Sequence, residues 1–332
     1  MVKLTRRAML SAASAVSAAS IVGGGVRAGQ AAAAPQAKQN AGWYRYKIGD
    51  IEVTVVTDGI ARFKMTENYV VNQKPEVVDA ALAAIFMDRN EMITPYNPTV
   101  VNSGGKVYVI DPGLGQAANA SSKGLGGQLL GNMAAAGIDP KTVDGVIITH
   151  MHPDHINGLL LADGSLAFPN AEVMIPAAER AYWMDDGEMS RAPKGLVEAV
   201  FKNVRRVFAG EVLKRTAAYE SGKEVVPGIT AVATHGHSKG HNSLIIASGS
   251  DKMFLQGDVS HFPLLFVRNP GWHVWFDQDA AMAEVTRRKV YDMLVAEKML
   301  MQGFHYPFPA VARIEKSGDG YREIPMLWNP TI

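Results

Sequence analysis

The chain has 332 residues, of which 47% are hydrophobic, and a chain of this size and composition can bury a large core. Its 33 basic and 32 acidic side chains give a formal net charge of +1, so its electrostatic field does not favour nucleic acid as a partner. The absence of cysteine excludes disulfides, thiolate metal ligands and cysteine nucleophiles.

The N-terminus has the pattern of an export signal. Arg6 and Arg7 precede a weakly apolar stretch, residues 8–22, that is rich in Ala and Ser. This pattern is typical of twin-arginine signal peptides, and an amphipathic or disordered tail is the alternative. Because Ser and Gly interrupt the stretch, it does not predict stable membrane insertion. We therefore assign residues 1–35 to a twin-arginine signal peptide and residues 36–332 to a single domain of a periplasmic or secreted protein.

The hydrophobic pattern of the remaining chain predicts a mixture of strands and helices. Strands are predicted at residues 44–48, 51–56, 99–101, 106–110, 143–149, 171–175, 230–234, 243–247 and 252–256. Helices are predicted at residues 126–136, 177–184, 195–207 and 279–297. Hairpins and interspersed helices, without a continuous β-α alternation, indicate an α/β protein with antiparallel or mixed sheets.

The densest cluster of polar side chains follows the predicted strand at 143–149. The segment Thr149-His150-Met151-His152-Pro153-Asp154-His155 places three imidazoles and a carboxylate within six residues. Such side chains are ligands for zinc and similar ions, and their close grouping is costly without a cation. A polar loop with solvated histidines is the alternative, but all nine histidines of the chain lie at or after position 150, which favours a shared site.

The pattern His-x-His-x-Asp-His resembles the metal motif of the metallo-β-lactamase superfamily. Segments 234–241, 256–258 and 303–309 resemble the remaining motifs of that family and occur in the same order. More specifically, residues 42–325 are similar to the methyl parathion hydrolases and related quorum-quenching lactonases. The resemblance implies an αββα sandwich with mixed sheets and outer helices, in which loops along one sheet edge supply the ligands.

The resemblance also implies a ligand set for two divalent ions. The expected ligands are His150, His152 and His241 for the first ion, Asp154, His155 and His305 for the second, and Asp258 as the bridge between them. Asp154 and Asp258 are also the candidate catalytic carboxylates. We expect Zn²⁺, with Co²⁺, Mn²⁺ and Fe²⁺ as alternatives, because affinity order alone does not fix which ion is loaded.

Further residues match family positions around the ions. Asp111 is expected to orient a ligand imidazole or the metal loop, and a plain turn aspartate is the alternative. His237 is expected to shape the loop beside the ligand histidine without binding an ion. Trp183, Leu196 and His261 match positions in the substrate pocket, and a buried structural histidine is an equal reading of His261.

These residues predict a binuclear hydrolase in which a metal-bridging hydroxide attacks a small neutral ester. Lactones and carboxylic esters, as cleaved by acyl-homoserine lactonases, are the leading substrates, and aryl phosphotriesters such as methyl parathion are the alternative. Neutral charge disfavours a nuclease, and the complete ligand set disfavours a non-catalytic protein. Relatives are often dimers, so a homodimer is expected, although the sequence leaves the oligomeric state open.

Overall fold

A computed structural model of the chain describes residues 39–332. The predicted signal peptide therefore lies outside the described residues. The strands of the described part are β1 (Trp43–Ile48), β2 (Ile51–Val56), β3 (Gly59–Phe63), β4 (Met92–Tyr96), β5 (Thr99–Ser103), β6 (Lys106–Ile110), β7 (Gly145–Ile147), β8 (Glu172–Pro176), β9 (Thr216–Tyr219), β10 (Glu224–Val226), β11 (Ile229–Ala233), β12 (Asn242–Ser248), β13 (Asp251–Leu255), β14 (Leu300–Gln302), β15 (Val311–Ser317) and β16 (Gly320–Pro325).

Helices alternate irregularly with these strands. They are α1 (Pro75–Ala83), α2 (Ala117–Ser121), α3 (Leu129–Ala135), α4 (Pro153–Ile156), α5 (Ala177–Trp183), α6 (Asp186–Arg191), α7 (Leu196–Val207), α8 (Gly210–Lys214), α9 (Pro263–Phe266) and α10 (Ala280–Glu297). Short 3₁₀ turns occur at Glu67–Tyr69, Arg89–Glu91, Pro140–Thr142 and Asn157–Leu159. Within residues 39–332, no helix has both the length and the apolar character that membrane crossing requires.

The strands form two seven-stranded sheets and a small ribbon. The first sheet has the order β1-β2-β5-β6-β7-β8-β9, the second has the order β10 to β16, and β3 pairs with β4. Strands β6 to β9 are parallel, as are β13 and β14, whereas the other pairs are antiparallel. The prediction of mixed sheets in an αββα sandwich is confirmed.

Alternating side chains of each central strand serve two different cores. In β13, Met253 and Leu255 pack between the two sheets, while Phe254 packs under α10. In β7, Ile147 faces the second sheet and Val146 packs toward the helices on the other side. Strands that are buried on both faces read as continuous apolar runs, which explains the uninterrupted hydrophobicity of these segments.

The predicted strand at 143–149 is shorter in the structure and ends at Ile147. The reason is a side chain: the backbone N–H of Thr149 donates to the carboxylate of Asp111 at 2.8 Å instead of to a neighbouring strand. The chain therefore leaves the sheet just before His150. This early exit turns the following histidines toward the edge of the sheet.

A separate apolar cluster covers the same edge. It includes Met65 and Tyr69 from the segment before α1, Leu82 from α1, and Leu265 and Phe266 from α9. The elements that carry these residues are short and come from distant parts of the chain. Packing between them, and not local periodicity, holds them in place.

Candidate metal centre

Four loops bring the polar residues of the site together. The loop after β7 carries His150 and His152, and α4 begins directly after it at Pro153. Strand β12 runs antiparallel to both β11 and β13, and β14 runs parallel to β13. Strands β11, β13 and β14 therefore end at one edge of the second sheet, and the loops that follow them carry His237, Asp258 and His305.

Three imidazoles form the first group of the centre. Nε2 of His150 lies 3.0 Å from Nδ1 of His152, and Nε2 of His237 lies 2.8 Å from that same nitrogen. The three rings could hold one metal ion between them. His237 thus lies where the sequence analysis expected His241.

His241 has a different role from the predicted one. Its Nε2 accepts a hydrogen bond from the backbone N–H of Asp258 at 2.9 Å, and its Nδ1 lies 3.0 Å from the carbonyl oxygen of Thr234. Because an amide N–H can only donate, Nε2 is unprotonated and Nδ1–H donates to Thr234. The ligand prediction for His241 is corrected on this ground, because both ring nitrogens are occupied in fixing the backbone beside Asp258.

Asp154, His155 and His305 form the second group. Oδ2 of Asp154 lies 3.3 Å from Nε2 of His305 and 3.8 Å from Nε2 of His155. Oδ2 of Asp258 lies 3.3 Å from Nε2 of His155, 3.2 Å from Nε2 of His305 and 3.4 Å from Nε2 of His237. One oxygen of Asp258 therefore lies between the first group and the second.

The donor atoms of the centre fit divalent cations. Nε2 of His155 and Oδ1 of Asp258 are buried and have no hydrogen-bond partner, which is rare for buried polar atoms. The ring nitrogens of the first group point at one another at hydrogen-bonding distance. Nitrogen and carboxylate oxygen donors in this arrangement suit zinc or a similar ion.

Burial governs the ionisation of the first group. Loss of solvent, reinforced by neighbouring imidazoles, lowers the pKa of His150 and of His237 well below the usual range for histidine. The same two causes lower the pKa of His152 to about 3. The three rings are therefore neutral at pH 7, the form in which imidazole binds a cation.

Carboxylates dominate the ionisation of the second group. Burial alone would lower the pKa of His155, but Asp258, Asp111 and Asp154 raise it well above its usual range. Burial acts in the same direction on His305, and there Asp258 and Asp154 raise the pKa to about 10. Burial would raise the pKa of Asp258, yet the imidazoles of His305 and His155 lower it well below its usual range. Metal binding at such residues releases protons.

Two carboxylates orient the ring nitrogens that face away from the centre. The carboxylate of Asp111, the predicted orienting residue, accepts hydrogen bonds from Nδ1 of His155 at 2.8 Å and from the hydroxyl of Thr149 at 2.6 Å. Oδ1 of Asp277 lies 2.9 Å from Nδ1 of His237. Sequence reasoning missed Asp277, because nothing in its neighbourhood distinguishes it from a loop aspartate.

Glu179 is a second residue that the sequence analysis missed. It lies in α5, is fully buried, and accepts hydrogen bonds from both loops of the first group. It is a single acidic residue in an ordinary helical pattern, so no local signal identifies it. Only the burial of a carboxylate shows that it is unusual.

A cavity of about 380 Å³ opens above the centre. Leu196 and His261, both predicted pocket residues, lie along it, and Nε2 of His261 is 3.1 Å from Oδ2 of Asp258. The prediction that Trp183 lines the pocket is wrong. Trp183 is fully buried behind His152, where its indole N–H donates to Glu179 at 2.8 Å. Helix α5 turns this ring into the core.

Five aromatic side chains lie in the cavity wall. Phe63, Tyr69, Tyr96, Trp275 and Phe276 line it together with the residues of the centre. The ring of Tyr69 packs against both Phe63 and Phe276, at centroid distances of 5.8 Å. Phe63, Tyr69 and Tyr96 come from segments that the sequence analysis did not assign to the pocket.

Comparisons with known proteins agree with this fold and this centre. The sequence profile of the Metallo-beta-lactamase superfamily matches residues 93–291. An N-acyl homoserine lactonase of Bacillus sp is 27% identical over 167 residues, which are 50% of this chain and 56% of that relative. The chain is thus matched to little more than half of the lactonase.

Solved structures show the same architecture. The structure of hydrolase AbOPH, in the beta lactamase superfamily, has a TM-score of 0.80 and 27% identity over 88% of this chain and 100% of its own. AidC, a dizinc quorum-quenching lactonase, has a TM-score of 0.77 and 21% identity over 87% of this chain and 98% of its own. The family profile, the fold and the His/Asp centre together show that the chain belongs to the metallo-beta-lactamase superfamily.

Proposed function

We propose that the protein is a binuclear metal-dependent hydrolase that cleaves small, neutral lactones and carboxylic esters. The observation that carries the proposal is the position of Oδ2 of Asp258, within 3.4 Å of ring nitrogens from both groups of the centre. A carboxylate oxygen at this place suits a bridge between two cations. Two bound cations would lower the pKa of water toward about 7 and polarise a substrate carbonyl.

Side chains around the cations would divide the remaining work. His150, His152 and His237 would hold the first ion, and Asp154, His155 and His305 would hold the second. Asp154 is the most accessible of the acidic groups, with a quarter of its side chain exposed toward the cavity. Oδ2 of Asp154 is therefore placed to take a proton from the attacking water and to pass it to the leaving oxygen of the opened ester. His261 would contact the substrate beside Asp258.

The shape and polarity of the cavity support a neutral substrate. Its walls are mainly aromatic and aliphatic, and beyond the centre itself the charged side chain along it is Lys64, which is exposed. An apolar wall favours an acyl chain or another uncharged group over a phosphate or a charged peptide. The similarity to an N-acyl homoserine lactonase supports a lactone in particular.

Turnover of three substrates by the purified, metal-loaded protein tests the proposal: an acyl-homoserine lactone, an aryl ester and methyl parathion. We expect the lactone or the aryl ester to be hydrolysed fastest. A protein that hydrolyses only methyl parathion would contradict the proposed substrate class. A protein that cleaves none of the three but cleaves a β-lactam would contradict the proposed function altogether.

The bridge is tested by Asp258→Asn, which removes the charge of the oxygen between the two groups. We expect turnover to fall by at least about 100-fold, because even residues behind the ligands contribute ~10–100-fold. Asp251→Asn is the matched control, since Asp251 is exposed at the opposite end of the same strand. Equal turnover of Asp258→Asn and the control would contradict the bridging role.

We also propose export by the twin-arginine pathway, which rests on Arg6, Arg7 and the apolar stretch that follows them. Sequencing the N-terminus of protein from the producing cell tests this. A cytosolic protein that still begins at Met1 would contradict it.

A further inference from the structure

We propose that Glu179 is a positioning residue that joins the two loops of the first metal site and thereby sets the affinity of that site alone. The inference rests on the proposed function, since it concerns one of the two proposed ion sites. Glu179 belongs to α5, outside the ligand motifs, and has no atom on the cavity.

The carboxylate of Glu179 accepts four hydrogen bonds in a fully buried position. Oε2 accepts from the backbone N–H of Met151 and from the indole N–H of Trp183, each at 2.8 Å. Oε1 accepts from the hydroxyl of Ser238 at 2.6 Å and from the backbone N–H of Gly240 at 2.7 Å. Each oxygen therefore uses both of its lone-pair directions.

The four donors connect Glu179 to one ion site only. Met151 lies between His150 and His152, and Ser238 directly follows His237. The side chain thus holds backbone on both sides of the first group, whose members come from two different sheets. None of its hydrogen bonds reaches Asp154, His155 or His305.

Packing around Glu179 leaves little freedom for either loop. A Cβ on Gly240 would lie 2.4 Å from the backbone nitrogen of Glu179, so the loop approaches α5 as closely as a glycine permits. Trp183, one helical turn later, packs its ring against Phe201 at a centroid distance of 4.7 Å. The carboxylate is therefore anchored to the core on one side and to the metal loops on the other.

Asp111 occupies the corresponding place behind the second group. It accepts hydrogen bonds from Nδ1 of His155 and from both the backbone and the hydroxyl of Thr149. Thr149 directly precedes His150, and its hydroxyl oxygen lies 3.1 Å from Nδ1 of His150. Asp111 is therefore connected to both groups, whereas the hydrogen bonds of Glu179 reach only the loops of the first.

Glu179→Gln is the informative substitution because it keeps the size of the side chain. The amide of glutamine has one accepting oxygen, and its NH₂ group must face either the N–H groups of Met151 and Trp183 or the hydroxyl of Ser238 and the N–H of Gly240. The hydroxyl of Ser238 can turn to accept, but a backbone N–H cannot, so in either orientation one metal loop loses its backbone hydrogen bond. Orienting residues behind metal ligands typically affect affinity by ~10–100-fold, which is the loss that we expect at the first site.

The affinities of the two sites are separated in two backgrounds of the full chain. His305→Ala leaves the first site as the stronger one, and His237→Ala leaves the second. Zn²⁺ affinity is measured in each background by competition with a chelator, with bound metal counted by elemental analysis. We expect Glu179→Gln to weaken binding ~10–100-fold in the His305→Ala background and by less than about twofold in the His237→Ala background.

Asp111→Asn is a comparison variant that should weaken binding in both backgrounds, because Asp111 contacts His155 directly and His150 through Thr149. Equal losses from Glu179→Gln in both backgrounds, or no loss in either, would overturn the inference, because they would show general destabilisation or no role. If Glu179→Gln does not fold, Ser238→Ala is the second test, because it removes one of the four hydrogen-bond donors to Glu179. We again expect the loss of Zn²⁺ affinity to be confined to the first site. A wild-type protein that binds no ion would contradict the proposed function, which is a different outcome.

Discussion

His237 and His241 lie four positions apart in one loop, yet their ring nitrogens face different neighbours. Nε2 of His237 joins the ring nitrogens of the first group, whereas Nε2 of His241 accepts the backbone N–H of Asp258. Their backbones are turned by Gly236, whose φ of 130° lies in a region that favours glycine. Which histidine reaches the centre is therefore decided by loop conformation and not by residue type.

This difference predicts two distinct defects. His237→Ala should lose one of the two proposed ions, because a neutral donor of the first group is removed. His241→Ala should keep both ions but leave the buried N–H of Asp258 without a partner, at a cost of about 1–3 kcal/mol in the free energy of unfolding. Elemental analysis and denaturant unfolding of both variants check this, and ion loss confined to His241→Ala would reverse the assignment.

A second residue-scale prediction concerns Asp58, which is fully buried and accepts hydrogen bonds from backbone outside the ligand loops. Burial raises its pKa from 3.8 to about 6, although the backbone N–H groups of Leu129 and Leu114 donate to it and act in the opposite direction. The folded state therefore binds this proton more tightly than the unfolded chain. The stability that protonated Asp58 contributes to the folded state is fully present below pH 3.8 and is lost as the pH rises through about 6.

Comparison with Asp58→Asn, which cannot ionise, isolates this effect. The free energy of unfolding of the wild type, relative to the variant, should fall by about 3 kcal/mol at most between pH 4 and pH 7. Denaturant unfolding of both proteins in the presence of a chelator measures the difference. A difference that stays constant across this range would show that Asp58 titrates normally.

At the scale of elements, the start of α10 is built against the loop of His237. The side chain of Asp279 accepts the backbone N–H of Met282 and caps the helix, and the backbone N–H of Asp279 donates to the carbonyl of Gly236 at 2.9 Å. A Cβ on Gly236 would lie 2.3 Å from the backbone nitrogen of Ala283. The absence of a side chain at this position lets helix and loop touch.

Gly236→Ala should therefore separate α10 from the loop and reduce both bound metal and turnover. Gly222→Ala is the matched control, because its φ is also positive, at 78°, but a Cβ there meets nothing within 4 Å. The control should lose only the backbone cost, about 1–2 kcal/mol. Metal analysis and denaturant unfolding of both variants check this. Equal metal content and equal stability of Gly236→Ala and Gly222→Ala would contradict this account.

The sequence identified the elements whose pattern is local. The predicted helix at 279–297 is Ala280–Glu297 in the structure, since a capping aspartate and a long periodic run define it. The ribbon of β3 and β4 was missed because its strands are half-buried, contain Pro95, and pair across about thirty residues. The metal motif at 150–155 was visible for the same local reason, whereas Glu179 and Asp277 act only through tertiary contacts.

At the scale of the whole molecule, the core between the sheets carries much of the stability. Leu244 is fully buried there, among side chains of both sheets. Leu244→Ala should lower the free energy of unfolding by about 2–5 kcal/mol, because it creates a cavity that the sheets cannot close. Leu327→Ala, at a position that is 86% exposed, should change it by less than about 0.5 kcal/mol. Denaturant unfolding distinguishes the two, and equal effects would contradict this picture of the core.

The donors of the first group come from the loop after β7 of one sheet and from the loop after β11 of the other. An ion held there would cross-link the two sheets at this edge, in addition to the hydrogen bonds that Glu179 makes with both loops. Without the ion those hydrogen bonds would remain, but the three imidazoles would lose their shared partner. Every tenfold rise in free ion above its dissociation constant would raise the free energy of unfolding by about 1.4 kcal/mol. The metal supply of the cell would therefore set part of the stability of the folded protein.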